Sequence, residues 1–496
     1  MSHPALPQPG QVVGPGVTPA KPFLDGLFGE FWPERSVPAT PRLVVAALVA
    51  GLVAAVVLPF RAPGIGTFLV LVVVAAVVAA ADGRLRTPYH LAAAGLCLLL
   101  VSTVFLRDAA WIVTLCLLAA GAVAVATLTE GRSLPGLLVS AAAPPLAALR
   151  GLPWLGRSMT TSQRSRSWAP LLRTVLISAV LLLVFGLLFA SADALFAQWA
   201  DALVPDITAP TLVLRAFVTA LVTGATLVGV YVPRNPPQVE QIALPGARPV
   251  RRQFEWLVPV GIVVALFAAF VVAQLAVMFG GHAYLQRTTG LTYAEYVHQG
   301  FGQLTVATLL TLAVVGVAAR KASHATAGDR LLLRAVLGLL CLLTLVVVAS
   351  ALYRMHVYEQ AYGFTRLRLL VSVFEGWLGL VLLLVLGAGL RLRGWWVPRA
   401  VLLTGAASLL ALAAVNPDAY IASRNVARFE QTGKVDTAYL AGLSADAAPT
   451  LAGTEIDRAC LGVVAGGDDD WLEWNLGRWR AARLEPVTGV CQDPTP

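Results

Sequence analysis

The recurrence of long apolar runs is the feature that most constrains the fold of this chain. Apolar residues make up 58% of its 496 residues and charged residues only 13%, about half the charged fraction usual in soluble domains. A hydrocarbon core of about 30 Å needs a helix of about 20 apolar residues to cross it, and runs of that length recur between residues 43 and 415. The sequence therefore predicts an all-α protein, a polytopic transmembrane helix bundle.

The apolar runs predict about eleven membrane spans. The segment 133–149 is also apolar, but Pro144 and Pro145 interrupt it, so we interpret it as an interfacial or re-entrant piece. The predicted spans are 43–60, 64–81, 88–106, 109–128, 172–191, 209–232, 256–279, 303–320, 331–353, 369–390 and 396–415.

The distribution of positive side chains predicts the orientation of these spans. With the N-terminus in the cytoplasm, the inner segments hold 22 Lys and Arg residues and the outer loops hold six. Such residues concentrate on the cytoplasmic side of membrane proteins. We therefore expect a multi-pass plasma membrane protein with a cytoplasmic N-terminus and an extracytoplasmic C-terminus. The net charge of +9 then faces anionic lipid, so the predicted partner is the lipid bilayer and not a nucleic acid.

Composition divides the chain into three regions. Residues 1–41 are rich in Pro and Gly and are predicted to be a disordered cytoplasmic tail, and 42–415 hold the bundle. Residues 416–496 carry seven Lys or Arg against twelve Asp or Glu and predict a small extracytoplasmic helical domain, the expected contact for an extracytoplasmic protein or envelope component. Cys460 and Cys491 are its only cysteines. An oxidising exterior permits them to form a disulfide, and the sequence leaves their pairing open.

Two polar and aromatic stretches, 280–304 and 354–368, interrupt the apolar runs on the predicted outer side. Their side chains suit proton transfer or metal binding, but no metal motif occurs and no metal site is predicted. The alternative is an aromatic belt at the membrane surface, and Glu295 also fits a capping box with Thr292. The candidate polar cluster is His282, Tyr284, Arg287, Glu295, His298, Arg354, His356, Glu359, Arg366 and Arg368.

Three ionisable residues lie inside or at the end of apolar runs, where a charge is costly and often functional. They are Asp193, Arg215 and Glu375. One interpretation is a structural ion pair between Glu375 and Arg215, or between Glu375 and one of the two arginines near 367. The other interpretation is a proton or solute pathway that faces the outer leaflet.

Several activities are disfavoured by what the sequence lacks. It contains neither a P-loop pattern nor a His-Glu-x-x-His pattern, so ATP-driven transport by this chain alone and a zinc protease of that type are disfavoured. The longest predicted cytoplasmic loop, 129–171, is too short for a kinase catalytic domain. There is no clear repeat with matched broken helices, the usual pointer to a secondary transporter. No cofactor is predicted, and a non-enzymatic protein is favoured.

Three blocks of sequence carry a resemblance to a known family. They are GGHAYLQRTTGLTYAEYVHQGFGQL, YRMHVYEQAYGFTRLRL and NPDAYIASRNVARFEQTGKVDTAYLAGLSADAAP. Over roughly residues 170–485 the chain resembles a bacterial membrane-protein family catalogued as domain of unknown function 4173, with 4153 as its near neighbour. The resemblance implies many spans followed by a helical tail, and it implies no catalytic residues because the family has no established activity. The 33 arginines against three lysines are also typical of a GC-rich bacterial genome.

Three functional hypotheses follow. The first is an envelope sensor or assembly protein that binds its partner through the C-terminal domain. The second is a secondary transporter or channel whose outer polar vestibule is built from 280–304 and 354–368. The third is a membrane enzyme on a lipid-linked substrate, with His282, Glu295, His356 or Glu359 as acid and base.

Overall fold

A computed structural model describes most of the chain, and its described residues contain helices but no β-strand. The described residues are 31–32, 40–83, 87–160, 181, 185, 188–189, 193, 209–242, 252–289, 301–454, 456, 461 and 469–485. The helices are α1 Pro41–Val57, α2 Ile65–Ala81, α3 Pro88–Leu106, α4 Ala110–Leu128, α5 Leu134–Ser140, α6 Ala143–Thr160, α7 Ala209–Arg234, α8 Phe254–Thr289, α9 Phe301–Lys321, α10 Ala327–Tyr362, α11 Arg366–Arg391, α12 Val397–Ala414, α13 Pro417–Thr432, α14 Thr437–Ala441, α15 Ala448–Ala452 and α16 Leu476–Ala481. Short 3₁₀ turns lie at Val239–Ile242 and Ala445–Ala447.

The helices reproduce the predicted apolar runs. In the part of the chain that the structure describes, eight helices are long and apolar enough to cross a membrane, and α1 and α2 are apolar helices of 17 residues. Ten of the eleven predicted spans thus coincide with a helix. The remaining one, 172–191, lies almost entirely outside the described residues.

Local sequence signals explain where several helices begin. Proline occupies the first turn of α1, α3 and α13, where its missing N–H has no partner to lose. A capping box starts α10: Asp329 N donates to Thr326 Oγ1 at 3.0 Å, and Thr326 N donates to the Asp329 carboxylate at 3.2 Å. This box begins α10 four residues before the predicted span.

The long helices form two groups packed side by side. Helices α8, α9, α10 and α11 surround one apolar core, centred on Leu337, Leu340 and Leu382. Helices α1 to α4, α7 and α12 form the other group, with Leu100 and Ile112 in its core. The two groups meet where α11 packs on α12, so α11 belongs to the seam between them.

The segment predicted to be interfacial or re-entrant folds as the helices α5 and α6. One face of α6 buries Ala147 and Trp154, whereas Leu149 and Leu152 on the other face are exposed. Beside it Trp32, from the segment predicted to be a disordered tail, is fully buried and donates from Nε1 to Asn235 O at 2.6 Å. The rest of residues 1–39 lies outside the described residues, apart from Phe31.

The short helices α13 to α16 form a lid on one end of the bundle, which we call the cap (residues 417–485 as far as described). Ala422, Leu440, Leu451 and Leu461 are buried in its small core. The cap packs against the ends of α3, α11 and α12. The segment predicted to be a small helical domain is therefore helical, and it lies directly on the helix ends.

Candidate functional site

A buried carboxylate joins the cap to the bundle. Asp418, in the first turn of α13, is fully buried. Its Oδ1 accepts hydrogen bonds from Trp111 Nε1 of α4 and Arg366 Nε of α11, both at 3.0 Å, and its Oδ2 accepts from Ser444 N at 2.9 Å. Burial by itself raises the pKa of Asp418, but the hydrogen bonds from Arg366, Ser444 and Trp111 outweigh it and hold the pKa below its ordinary value. Asp418 is therefore a charged link between the cap and two spanning helices.

Two further aspartates exchange hydrogen bonds across the same junction. Asp446 of the cap accepts from the backbone N–H groups of Asp108 at 2.7 Å and Ala109 at 3.0 Å, and so caps the N-terminus of α4. Asp108 accepts from Ala445 N at 3.1 Å and from Arg478 Nη1 at 2.9 Å. Burial raises the pKa of Asp446, and the two N–H bonds offset only part of that effect. Each side of the junction thus supplies an acceptor that the other side's backbone needs.

Asn475 of the cap bonds the last carbonyl groups of α3. Asn475 Nδ2 donates to Val104 O at 3.0 Å and to Arg107 O at 2.9 Å, carbonyls that have no partner within the helix. Arg107 in turn donates from Nε to Ala413 O at 2.6 Å and from Nη2 to Ala414 O at 2.9 Å, and so provides hydrogen-bond partners for the last carbonyl groups of α12. Asn475 thus holds the cap against the end of α3, and Arg107 holds the α3–α4 turn against the end of α12.

Side chains of α13 also bond backbone groups of the turn between α10 and α11. Asn425 of α13 pairs with the backbone of Phe364, accepting from its N at 2.9 Å and donating to its O at 2.8 Å. Arg428 donates to the carbonyls of Gln360 and Ala361, at 3.1 and 2.8 Å, near the end of α10. The cap therefore contacts the α10–α11 turn, the α3–α4 turn and the end of α12.

The second polar site lies inside the α8–α11 group. Glu375 is fully buried, nine residues or about 14 Å along α11 from its first residue. Its Oε2 accepts from Thr305 Oγ1 of α9 at 2.9 Å, whereas its Oε1 has no hydrogen-bond partner among the described residues. Thr308 lies near the same carboxyl, but its hydroxyl donates to Leu304 O at 3.0 Å. Within the described part of the chain, one carboxyl oxygen of Glu375 therefore has no hydrogen bond although the side chain is fully buried.

A hydrogen-bonded group on α8 and α10 lies at a similar depth. Gln274 Oε1 accepts from Arg354 Nη2 at 2.8 Å and from Ser350 Oγ at 3.2 Å. Arg354 is buried and lies eight residues, about 12 Å, before the end of α10. Since α10 and α11 are antiparallel neighbours joined by a short turn, this group and Glu375 lie at about the same distance from the cap.

The predicted ion pair of Glu375 does not form, because each candidate arginine has another partner. Arg215 Nη1 donates to Ala55 O at 3.0 Å. Arg366 donates from Nε to the buried carboxylate of Asp418, and Arg368 donates to the Tyr362 carbonyl at 3.1 Å. Among the described residues, no cation forms a salt bridge with Glu375.

Of the remaining predicted site residues, the structure describes the side chains of His356, Glu359 and Asp193. His356 is exposed and shares a 2.9 Å hydrogen bond between its Nε2 and Gln360 Nε2. Glu359, one turn on, is buried, and its Oε1 has no hydrogen-bond partner in the ranges that the structure describes. Asp193 is exposed. Within the described part of the chain, no three His, Cys, Asp or Glu side chains are grouped for metal binding. The side chains of His282, Tyr284 and Arg287, and the residues Glu295, His298, Cys460 and Cys491, lie outside the described part.

Arg366 was among the predicted site residues, but the junction aspartates were missed at the sequence level because each has an ordinary local explanation. Asp108 and Asp418 stand just before or within the first turn of a helix, where an acidic residue stabilises its own helix dipole. In the structure they bond across the junction instead. The only sequence signal was that Asp108 and Asp418 both lie next to predicted outer loops. That position did not indicate which residues they would bond.

The family comparison covers most of the chain. Residues 94–453 match the family described as Domain of unknown function (DUF4153). The chain belongs to this family. The resemblance to domain 4173 thus resolves in favour of its near neighbour 4153, and the match begins well before residue 170. No curated protein and no solved structure matches the chain. With its apolar helices, this member of the DUF4153 family is an integral membrane protein of unknown activity.

Proposed function

We propose that the protein is a transporter that moves a proton, alone or with a solute, through the helix group α8–α11. The supporting observation is Glu375, a fully buried carboxyl with one unbonded oxygen and no bonded cation among the described residues. A lone charge in this position is costly, and intramembrane ionisable residues commonly mark proton or substrate pathways. A proton on Oε1 has an acceptor close by in the Thr308 hydroxyl, whose own proton is used by Leu304 O.

Proton flux into proteoliposomes tests this proposal. With a pH-sensitive dye inside and an imposed potential, we expect the wild-type protein to acidify the lumen faster than empty liposomes. Glu375→Gln should reduce the rate to that of empty liposomes, because an amide does not bind and release the proton. The matched control is Glu430→Gln, which alters an exposed carboxylate of the cap and should leave the flux unchanged. Wild-type flux in Glu375→Gln would refute the role of this carboxyl.

A spectroscopic test reports on Glu375 without any assay of transport. The infrared difference spectrum between the wild type and Glu375→Gln should contain the carbonyl stretch of a protonated carboxyl, shifted in D₂O. If that band is missing at neutral pH, Glu375 is ionised at rest, which would contradict a protonated resting carboxyl in this buried site.

We further propose eleven spans in a bacterial plasma membrane, with the N-terminus in the cytoplasm and the cap outside. The turns that contact the cap, α3–α4 and α10–α11, are both predicted outer loops. The ends of α4 and α7 lie together at the other end of the bundle, since Glu240 Oε1 accepts from Arg132 N at 2.6 Å and Ser133 N at 3.1 Å. This arrangement calls for one more crossing between α4 and α7, and it supports our proposal of a span at 172–191.

Labelling of single cysteines in intact cells tests the orientation. In a cysteine-free background, we expect Glu430→Cys in the cap to react with a membrane-impermeant maleimide. Arg391→Cys, at the far end of α11 and exposed, should react only after the cells are permeabilised. The reverse pattern would invert the topology.

A sensor or assembly protein is the second candidate function, and the cap junction is the observation that favours it. Asp418 bonds both α4 and α11, so a partner protein or envelope component that displaced the cap would also displace these helices. This hypothesis predicts that Asp418→Asn abolishes the cellular phenotype of the protein and leaves proton flux intact. The transporter hypothesis predicts that Glu375→Gln abolishes both. The third hypothesis, an enzyme, gains no supporting geometry from His356 and Glu359.

A further inference from the structure

A cleft opens between α9, α10 and α11 at the end of the bundle opposite the cap. Its volume is about 570 Å³, within the range of about 300–1,000 Å³ typical of ligand pockets. The loop that follows Arg391 and the start of α12 close one side of it. This cleft is separate from Glu375, which lies on the half of α11 nearest the cap.

The walls of the cleft are apolar, and they include unfilled space beside two glycines. Leu312, Leu337 and Val385 face it from three different helices. Gly316 of α9 and Gly338 of α10 also line it, and a Cβ placed on either glycine would meet no described atom within 4 Å beyond its own helix backbone. Space next to a helix backbone with no protein side chain to fill it suits a flexible hydrocarbon chain.

The mouth of the cleft is basic. Arg320, His324, Arg334 and Arg393 line it, and all four are exposed. Arg334 and Arg393 form no ion pair with any residue in the described ranges. Leu392 adopts a left-handed conformation with φ 51° and ends α11, a turn that brings Arg393 to the mouth.

We propose that this cleft binds one anionic phospholipid from the leaflet opposite the cap. The arginines at the mouth hold the headgroup phosphate, since guanidinium groups bind phosphate in a bidentate geometry. An acyl chain lies along the glycine-lined walls. Basic pockets between membrane helices are suited to anionic headgroups, and the surrounding bilayer supplies both parts of this ligand at high concentration. A zwitterionic lipid meets the same walls but gains less from the arginines.

Native mass spectrometry of the full-length protein in a mild detergent tests the proposal. The protein is titrated with phosphatidylglycerol or with phosphatidylcholine of the same acyl chains. We expect tighter binding of phosphatidylglycerol, and the double variant Arg334→Gln/Arg393→Gln should weaken it by roughly 30-fold, at about 1 kcal/mol per arginine. Arg391→Gln is the matched control, because Arg391 is exposed two residues away and does not line the cleft.

Filling the hydrocarbon channel gives an independent test. Gly338→Leu should lower the affinity for phosphatidylglycerol and should not harm folding, because leucine favours a helix more than glycine does and has open space here. Gly261→Leu is its control, on α8 away from the cleft and equally free of neighbours. Equal binding of the two lipids, or wild-type affinity in both cleft variants, would overturn the proposal. Full competition by millimolar inorganic phosphate would also overturn it, since the site would then hold a free anion.

Discussion

Asp418 and Glu375 are both fully buried carboxyls, yet their surroundings differ at the scale of single residues. Asp418 has hydrogen bonds to both oxygens and an arginine partner, whereas Glu375 has one hydroxyl. A buried charge is tolerated only when it is paired and hydrogen-bonded. Asp418 therefore meets the requirement of a structural link, and Glu375 does not.

Asp418→Asn should weaken the attachment of the cap. The change keeps the shape of the side chain but leaves Arg366 without its counter-ion. Breaking a fully buried ion pair costs about 3–5 kcal/mol, and because the side chain of Arg366 is 34% exposed we expect a smaller loss of about 2 kcal/mol in the free energy of unfolding. Denaturant unfolding in detergent measures it, with Glu430→Gln expected within about 0.5 kcal/mol of wild type. If Asp418→Asn also stayed within about 0.5 kcal/mol of wild type, the proposed structural role of the Asp418–Arg366 pair would be wrong.

The same substitution should change the dependence of stability on pH. The pKa of Asp418 is lower in the folded state than its ordinary value, so its stabilisation is present above about pH 4 and is lost as the pH falls through the folded-state pKa. The stability difference between wild type and Asp418→Asn should therefore shrink below about pH 4. Asp446, whose raised pKa acts in the opposite direction, is common to both proteins and cancels. A difference that stays constant across this range would argue that Asp418 is neutral.

Glu375→Met should make the protein more stable while it abolishes proton flux. Methionine fills a similar volume and removes the unbonded oxygen, and an unsatisfied buried polar group costs about 1–3 kcal/mol. Thr305→Val is the complementary change, because it removes the one hydroxyl that bonds Glu375 and should lower stability by about 1–2 kcal/mol. Thermal unfolding in the same detergent compares them. A lower unfolding temperature for Glu375→Met would show that the carboxyl has a structural role.

At the scale of the element, the α10–α11 turn depends on a glycine. Gly363 has φ 85°, and a Cβ there would come within 2.7 Å of Asn425 Oδ1, the atom that bonds Phe364. Gly433 also has a positive φ, 68°, but no neighbour within 4 Å. Alanine costs roughly 1–2 kcal/mol in this conformation, so Gly433→Ala should lose about that much. Gly363→Ala should lose more for two reasons: its ψ of 165° places it in a region that is essentially restricted to glycine, and the new Cβ also displaces Asn425. Equal losses by denaturant unfolding would mean that the turn relaxes to remove both penalties.

The positions of the spanning helices were predictable from sequence because the length of each apolar run is sufficient to indicate a span. The residues at which the helices begin and end were harder to predict. The predicted span 331–353 lies inside α10, Ala327–Tyr362, because capping and helix-forming residues continue the helix past the apolar run. The predicted span 256–279 likewise continues to Thr289. Residue partners were not predictable. Thr305 and Glu375 are 70 positions apart, and charge alone suggested an arginine where the fold supplies a hydroxyl.

At the scale of the whole molecule, the cap is part of the bundle and not a separate appendage. The turn between α1 and α2 shows this, since Ile65 N donates to Trp474 O at 3.0 Å and Gly66 N donates to Leu472 O at 2.7 Å. Together with the bonds of Asn475 at the end of α3, the segment 469–485 therefore bonds backbone groups of two helices, α2 and α3. A helix end that loses such partners in a buried position is destabilised.

Truncation after residue 468 should therefore destabilise the membrane helices themselves. It removes the partners of Ile65, Gly66 and the last carbonyls of α3, at about 1 kcal/mol for each hydrogen bond lost, so we expect a loss of several kcal/mol concentrated in α2 and α3. Hydrogen exchange in nanodiscs should show faster exchange at the cap-side ends of these helices and unchanged exchange at the ends of α9 and α10 opposite the cap. Truncation after residue 485 is the control, because it leaves all these bonds in place. If both truncations give the same exchange pattern, the helix ends are satisfied without the cap, and the cap is free to move independently of the bundle.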